Sequence, residues 1–264
     1  NVTIQNCKIN GRYSGIYCIG GKDYTITGND LKNTGNDNTR AALYLSGIRP
    51  GTLPAGVVAS GNLFGTGTSR TALRVSDMDG LLIGDAGVLG AHIVMEDASG
   101  ANTMSTDGDN AVIYLNAVSN LTVNDVDVSR SAGGRTGVGI WVENSGSTAY
   151  RNLSILNCKM QQRDMGLYIS GGKDVTVTNN DMRYSGFYQE RPALYLTNIQ
   201  SISLPGGVSL SGNKFGGTFN GATSQSGIQF ANMRDLVMAD AAGAGVNIVL
   251  EDNSGLNDVY GDEI

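Results

Sequence analysis

A four-residue pattern, a small or apolar residue followed by apolar positions in alternation, recurs eight times: Gly15-Ile16-Tyr17-Cys18, Ala42-Leu43-Tyr44-Leu45, Ala72-Leu73-Arg74-Val75, Val112-Ile113-Tyr114-Leu115, Gly139-Ile140-Trp141-Val142, Gly166-Leu167-Tyr168-Ile169, Ala193-Leu194-Tyr195-Leu196 and Gly227-Ile228-Gln229-Phe230. Period-two alternation marks strands, and recurrence on this scale marks a solenoid or an array. Gly139, Gly166 and Ala193 stand 27 residues apart (166 − 139, 193 − 166), while wider spacings, such as that from 72 to 112, call for loops that bulge from the coil. A meander would reverse strand direction at each hairpin. Here the same strand order returns in every unit, so like strands stack parallel on like strands.

A second alternating strand follows most units after a Gly- or Asn-rich turn, as in Val2-Thr3-Ile4, Tyr24-Thr25-Ile26-Thr27, Leu81-Leu82-Ile83, Leu121-Thr122-Val123, Leu153-Ser154-Ile155, Val175-Thr176-Val177-Thr178 and Val208-Ser209-Leu210. Turns such as Gly20-Gly21-Lys22-Asp23 and Gly171-Gly172-Lys173-Asp174 supply tight backbone. Stacking predicts two inward columns from the first strand, Ile16 through Ile228 and Cys18 through Phe230. Past the second strand, Cys7, Asn29, Asn62, Cys158, Asn180 and Asn213 share a turn column. Ile9, Leu31, Phe64, Val128, Met160, Met182 and Phe215 form a further apolar stack two residues on.

The run Val175-Thr176-Val177-Thr178-Asn179-Asn180-Asp181-Met182, preceded by Gly166-Leu167-Tyr168-Ile169, resembles the right-handed parallel β-helix repeat of the pectate-lyase-like superfamily. The likeness spans nearly the whole chain. It implies an all-β, right-handed parallel β-helix of about eight rungs. Enzymes, phage tailspikes, adhesins and surface proteins share that fold, so the resemblance speaks to architecture and not to one activity.

A longer repeat lies over the short one. Asn6-Cys7-Lys8 returns as Asn157-Cys158-Lys159, Gly20-Gly21-Lys22-Asp23 as Gly171-Gly172-Lys173-Asp174, and Arg40 with Ala42-Leu43-Tyr44-Leu45 as Arg191 with Ala193-Leu194-Tyr195-Leu196, each offset by 151 (158 − 7, 171 − 20, 191 − 40). Further on the offset is 155 (251 − 96), which an insertion near Thr218 to Gly221, expected in a loop, would explain. The chain therefore reads as one β-helix domain over 1–264, with a five-rung super-repeat at 1–151 and part of a second at 152–264. Asn1 is not an initiator Met and falls inside a strand pattern, and neither end shows a capping helix. The expectation is a segment of a longer tandem array, or one that stacks end to end on copies of itself.

The net charge of −6 and pI near 4.7, with 18 Lys+Arg scattered singly, leave no basic stripe for nucleic acid. No apolar run is long enough for membrane insertion. Three cysteines cannot all pair with one another, and Cys7 and Cys158, five rungs apart, are far beyond disulfide reach. Cys18 is expected inward as a small hydrophobe.

The resemblance makes a calcium-assisted polysaccharide lyase the enzymatic alternative, since lyases of the superfamily use acidic calcium ligands and a basic residue beside the substrate. Candidate bases occur twice, as Lys8 and Lys159, Arg12 and Arg163, Lys22 and Lys173, Arg40 and Arg191. Duplication of every candidate fits a scaffold better than a single cleft. The one histidine, His92, aligns with Asn247 in the second copy. Glu96-Asp97 through Asn102, and Asp107-Gly108-Asp109-Asn110, offer oxygen ligands that would suit calcium. Neither matches an established calcium loop, and hydrogen-bonded turns account for them. No other cofactor is indicated.

The outward position between the two inward columns is the best functional signal. It holds Tyr17, Tyr44, Arg74, Tyr114, Trp141, Tyr168, Tyr195 and Gln229, six aromatics in eight places although aromatics make up 6% of the chain. Alternation puts them on one outer face, suited to packing against another solenoid or to sugar rings, as well as to cross-strand support. The expected function is a non-catalytic extracellular or cell-surface segment of a repetitive fibre, stalk or adhesin. Its partners would be copies of itself or adjoining repeats, with polysaccharide as the further candidate; a phage tailspike-like glycan-binding module is a third reading.

Overall fold

The computed structural model describes residues 1–35, 40–64, 71–84, 93–95, 111–130, 137–144, 150–186, 191–204, 207–216, 218–219, 222–223, 226–233, 248–250 and 258–261. Among these residues the one helical element is a short 3-10 turn, Pro54–Gly56; the rest is strand and turn. A nine-stranded sheet runs in chain order through Ile16–Ile19, Leu43–Ser46, Leu73–Asp79, Ala111–Ser119, Val138–Glu143, Met165–Ser170, Leu194–Thr197, Ser226–Ala231 and Asp258–Gly261. Every neighbouring pair in it is parallel. The sheet thus has one strand more than the eight units of the sequence pattern: Val259 pairs with Ile228 and Tyr260 with Gln229.

The second strands build two further parallel sheets. One contains Val2–Gln5, Tyr24–Thr27 and Val57–Ser60; the other runs from Leu82–Gly84 through Leu121–Asn124, Leu153–Leu156 and Val175–Thr178 to Val208–Ser211. Among the described residues, no pairing joins Val57–Ser60 to Leu82–Gly84. A third series is shorter. Lys8, Asp30 and Leu63 bridge in parallel, as do Asp127, Lys159, Asp181 and Lys214. Part of the widest spacing between units is itself strand, since Ile93–Met95 pairs with Asn62–Phe64, and Ile248–Leu250 likewise pairs with Asn213–Phe215. Near the expected insertion, Thr218–Phe219 pairs antiparallel with Ala222–Thr223. All-parallel sheets whose neighbours follow one another along the chain are compatible with a parallel β-solenoid.

The columns pack as the alternation requires. Leu43, Leu73, Ile113, Ile140, Leu167, Leu194 and Ile228 are inaccessible to solvent and register directly on one another. Leu31, Phe64, Val128, Met160 and Met182 close the core from the third series. That packing explains the small residue that opens most units. A Cβ added to Gly166 would lie 2.8 Å from Met182 Cγ and 2.9 Å from the Ala193 carbonyl oxygen, so a larger side chain has no room.

The turn after the second strand repeats a two-residue device. Its first residue has positive φ, as at Asn6, Gly28, Gly61, Asp125, Asn157, Asn179 and Gly212, a conformation open to Gly, Asn and Asp at low cost. The next residue points inward. Asn29 and Asn62, and again Asn180 and Asn213, are buried and hydrogen-bonded as ladders. Asn180 Oδ1 accepts from the Cys158 N–H (2.9 Å), while its Nδ2 donates to the Ile155 carbonyl (2.9 Å) and to Asn213 Oδ1 (3.0 Å). Asn29 does the same with Cys7, Ile4 and Asn62.

A second device recurs 151 residues apart (174 − 23). The Asp23 carboxylate accepts from the Thr52 and Leu53 amides, both at 2.9 Å. Asp174 accepts from the amides of Ile202 (2.9 Å), Ser203 (2.8 Å) and Leu204 (3.1 Å) and from the Ser203 hydroxyl. Each carboxylate anchors the segment that follows the next strand of the long sheet.

Candidate functional site: an outward aromatic ladder

Seven successive strands of the long sheet place one outward position in unbroken register. Tyr17 faces Tyr44, Tyr44 faces Arg74, Arg74 faces Tyr114, and Trp141, Tyr168 and Tyr195 follow in order. Strand spacing in a sheet, about 4.8 Å, is close to the reach of an aromatic ring, so neighbours touch. Ring centroids are 5.1 Å apart for Tyr17 and Tyr44, 6.3 Å for Tyr114 and Trp141, 4.7 Å for Trp141 and Tyr168, and 5.2 Å for Tyr168 and Tyr195.

Arg74 does not interrupt this series. Its guanidinium carbon lies 5.6 Å from the Tyr44 ring centre and 4.9 Å from that of Tyr114, so the cation joins the two aromatic groups on either side. Alternation alone could show that Arg74 shares the face. It could not show that the side chain would lie between rings. Trp141 Nε1 also gains a partner on its own strand, donating to Glu143 Oε2 at 3.0 Å.

The rings are mutually tilted by 53° to 71°, packing edge against face as their quadrupoles favour. They do not share one plane. Tyr114 is only 7% exposed and forms a buried cluster with Ala111, Val138 and Met165, against which Trp141, Tyr168 and Tyr195 pack. Tyr17 is 40% exposed. Burial pushes the Tyr168 hydroxyl above its ordinary pKa; the Ser170 hydrogen bond opposes this, and the nearby Glu143 charge adds to the rise. The ladder is therefore half built into the scaffold and half presented.

The duplicated basic residues are dispersed through the fold. Lys22 and Lys173 bridge to Arg49 and Gln200 in the turns. Lys159 pairs with Asp127 at 3.4 Å, in a column where acidic and basic residues alternate. Arg163 is fully buried, its Nε donating to the Val128 carbonyl at 2.9 Å, and Arg191 reaches Asp164 at 3.2 Å. Arg163, Asp164 and Arg191 thus share one corner. Burial pushes the Asp164 carboxyl up against the opposing pull of the Arg191 guanidinium. The first copy has Tyr13 where this corner has Asp164.

His92 and the two acidic stretches considered for calcium, 96–102 and 107–110, lie outside the described residues. Among the described residues, no group of three or more His, Cys, Asp or Glu side chains is placed to hold a metal ion. Cys7, Cys18 and Cys158 are all free thiols. No helix among the described residues is long and apolar enough to cross a membrane. Comparison with protein-family models, with curated proteins and with solved structures gives no match to this chain.

Proposed function

We propose that this chain is a right-handed parallel β-solenoid of the pectate-lyase-like kind, serving as a non-catalytic structural or adhesive segment of an extracellular or cell-surface fibre, stalk or adhesin. The observation that carries this reading is the aromatic ladder. Six rings and one guanidinium run along a single outer face, and their tilted packing suits edge-and-face contact with another apolar surface. The equivalent anchoring by Asp23 and Asp174, and by the two Asn ladders, supports a super-repeat of scaffold units at 1–151 and 152–264.

Electron microscopy of the purified chain tests the proposal. Fibres or lateral bundles are the expected result, lost in the Trp141→Ala, Tyr168→Ala double variant, which leaves far-ultraviolet dichroism unchanged. A dispersed monomer that releases ultraviolet-absorbing unsaturated products from an acidic polysaccharide would replace this reading with the calcium-assisted lyase. A dispersed monomer whose glycan binding depends on Trp141 would replace it with the tailspike-like module.

A further inference from the structure

Asp23, Gly56, Asn120, Asn152, Asp174 and Gly207 each stand directly before a second strand, and all six have positive φ. Glycine, aspartate and asparagine enter that conformation at low cost, so the backbone alone accounts for their presence. It does not account for what the side chains do. Asp23 and Asp174 are buried and spend their carboxylates on the amides of a distant segment. Asn120 and Asn152 are exposed.

Each of these two asparagines opens an acceptor triplet for N-linked glycan, Asn120-Leu121-Thr122 and Asn152-Leu153-Ser154. Alternation sorts the three side chains. Leu121 and Leu153 are buried, while Thr122 and Ser154 lie partly exposed on the same side as the asparagines. The triplets stack in register, Leu121 on Leu153 and Thr122 on Ser154. Asn152 Nδ2 donates to Asn120 Oδ1, and Asn120 Nδ2 to Asp79 Oδ1, both at 2.7 Å. A carboxamide nitrogen carries two hydrogens, and each of these bonds uses one. N-glycosylation replaces a single hydrogen, so this outer amide ladder can persist in the modified chain.

We infer that Asn120 and Asn152 are attachment sites for N-linked oligosaccharide, donated by a polyprenyl diphosphate-linked sugar. The inference rests on the extracellular reading above. In the transfer, Nδ2 forms a bond to the sugar C1 as the bond from C1 to the diphosphate oxygen breaks. The diphosphate leaves with that electron pair, and the nitrogen gives up one proton to the transferase. No oxidant or reductant is involved. Both sites stand at the entry to the second sheet, whereas the aromatic ladder belongs to the long one. Bulk and solubility added there confine lateral contact to other faces.

Cell-free translation of the full chain behind a cleavable leader tests this, with rough microsomes supplying the transferase and the lipid-linked oligosaccharide. The translocated, protease-protected chain should gain mass that peptide:N-glycosidase removes, leaving aspartate at position 120, at 152 or at both. Thr122→Val combined with Ser154→Ala keeps both asparagines and should cut the modified fraction at least tenfold; Thr122→Ser in place of Thr122→Val should restore it at Asn120. Protected chain with no added mass at either asparagine overturns the inference. Modification confined to Asn1, which opens the triplet Asn1-Val2-Thr3, overturns it too. Modification that persists in the double hydroxyl variant overturns the triplets as its basis. Fibres formed by a chain modified at neither position remove these sites and leave the fibre proposal standing, whereas a modified chain that stays dispersed supports the sites and removes the fibre.

Discussion

Two side-chain ladders run across the strands, and their difference separates what holds the fold from what is left for contact. The inner one is polar. Asn29 and Asn62, and Asn180 and Asn213, are buried, and their donors and acceptors meet one another and the backbone. The outer one is aromatic and half exposed, with rings that touch yet tilt. A buried amide with satisfied partners tolerates almost no replacement, because every substitution strands its neighbours. A half-exposed ring loses only its share of contact area. Register is thus enforced from inside, and the outer face can vary.

Substitution should expose this contrast most sharply at Asn180. Asn180→Leu leaves the Cys158 N–H and the Ile155 carbonyl without their partners, and should cost about 2–4 kcal/mol in urea unfolding. Next comes overfilling at the small position: Gly166→Val meets Met182 and the Ala193 carbonyl and should cost about 1–3 kcal/mol by the same measurement. On the outer ladder, Trp141→Ala removes two ring contacts and the bond to Glu143, with an expected loss of about 1 kcal/mol. A loss at Trp141 equal to that at Asn180 would erase the distinction between the two ladders.

The smallest effect is local and depends on pH. The Leu53 and Thr52 amides hold the Asp23 carboxyl below its ordinary range; at Asp174, burial pushes upward but the bonds from Ser203, Ile202 and Leu204 outweigh it. Because both values are depressed in the fold, their contribution is complete above the unfolded carboxyl range near 4 and is lost as pH falls through the lower folded values. Amide exchange at Thr52, Leu53 and Ser203 should therefore accelerate, relative to the intrinsic rate, in that acid window while core amides stay protected. In Asp23→Asn the acid-dependent change at Thr52 and Leu53 should disappear. Uniform acceleration throughout the molecule would show that these anchors are not local.

Much of this architecture is legible in residue order because alternation and recurrence act together. Ile113 had to face inward if Leu73 and Ile140 did, and Cys18 went with Leu45. The aromatic face followed from the same parity. Other features depend on contacts that no spacing specifies. Asn179 and Asn180 are chemically identical neighbours, yet one turns the chain and the other fills a buried ladder. Their position in a turn was readable; the inward bonds were not. Val57–Ser60 is a short strand beside a Gly turn whose pattern is weaker than that of Tyr24–Thr27, although the two pair residue for residue. Near 218 the short antiparallel pairing of Thr218–Phe219 with Ala222–Thr223 is another contact that spacing did not specify. Arg74 could be placed on the outer face from parity alone, but not with its guanidinium between the Tyr44 and Tyr114 rings.

Among the described residues Val57–Ser60 and Leu82–Gly84 belong to different sheets, and that break has a mechanical consequence. A pull directed across the strands loads each junction between neighbours in series, so the thinnest junction sets the rupture force. Here the long sheet, from Leu43–Ser46 to Leu73–Asp79, and the pairing of Asn62–Phe64 with Ile93–Met95 bear the load, whereas from Leu82–Gly84 to Val208–Ser211 the second strands share it with the long sheet. A pull across the strands should therefore open this junction more readily than those between Leu82–Gly84 and Val208–Ser211, extending the chain between two still-folded portions without breaking it.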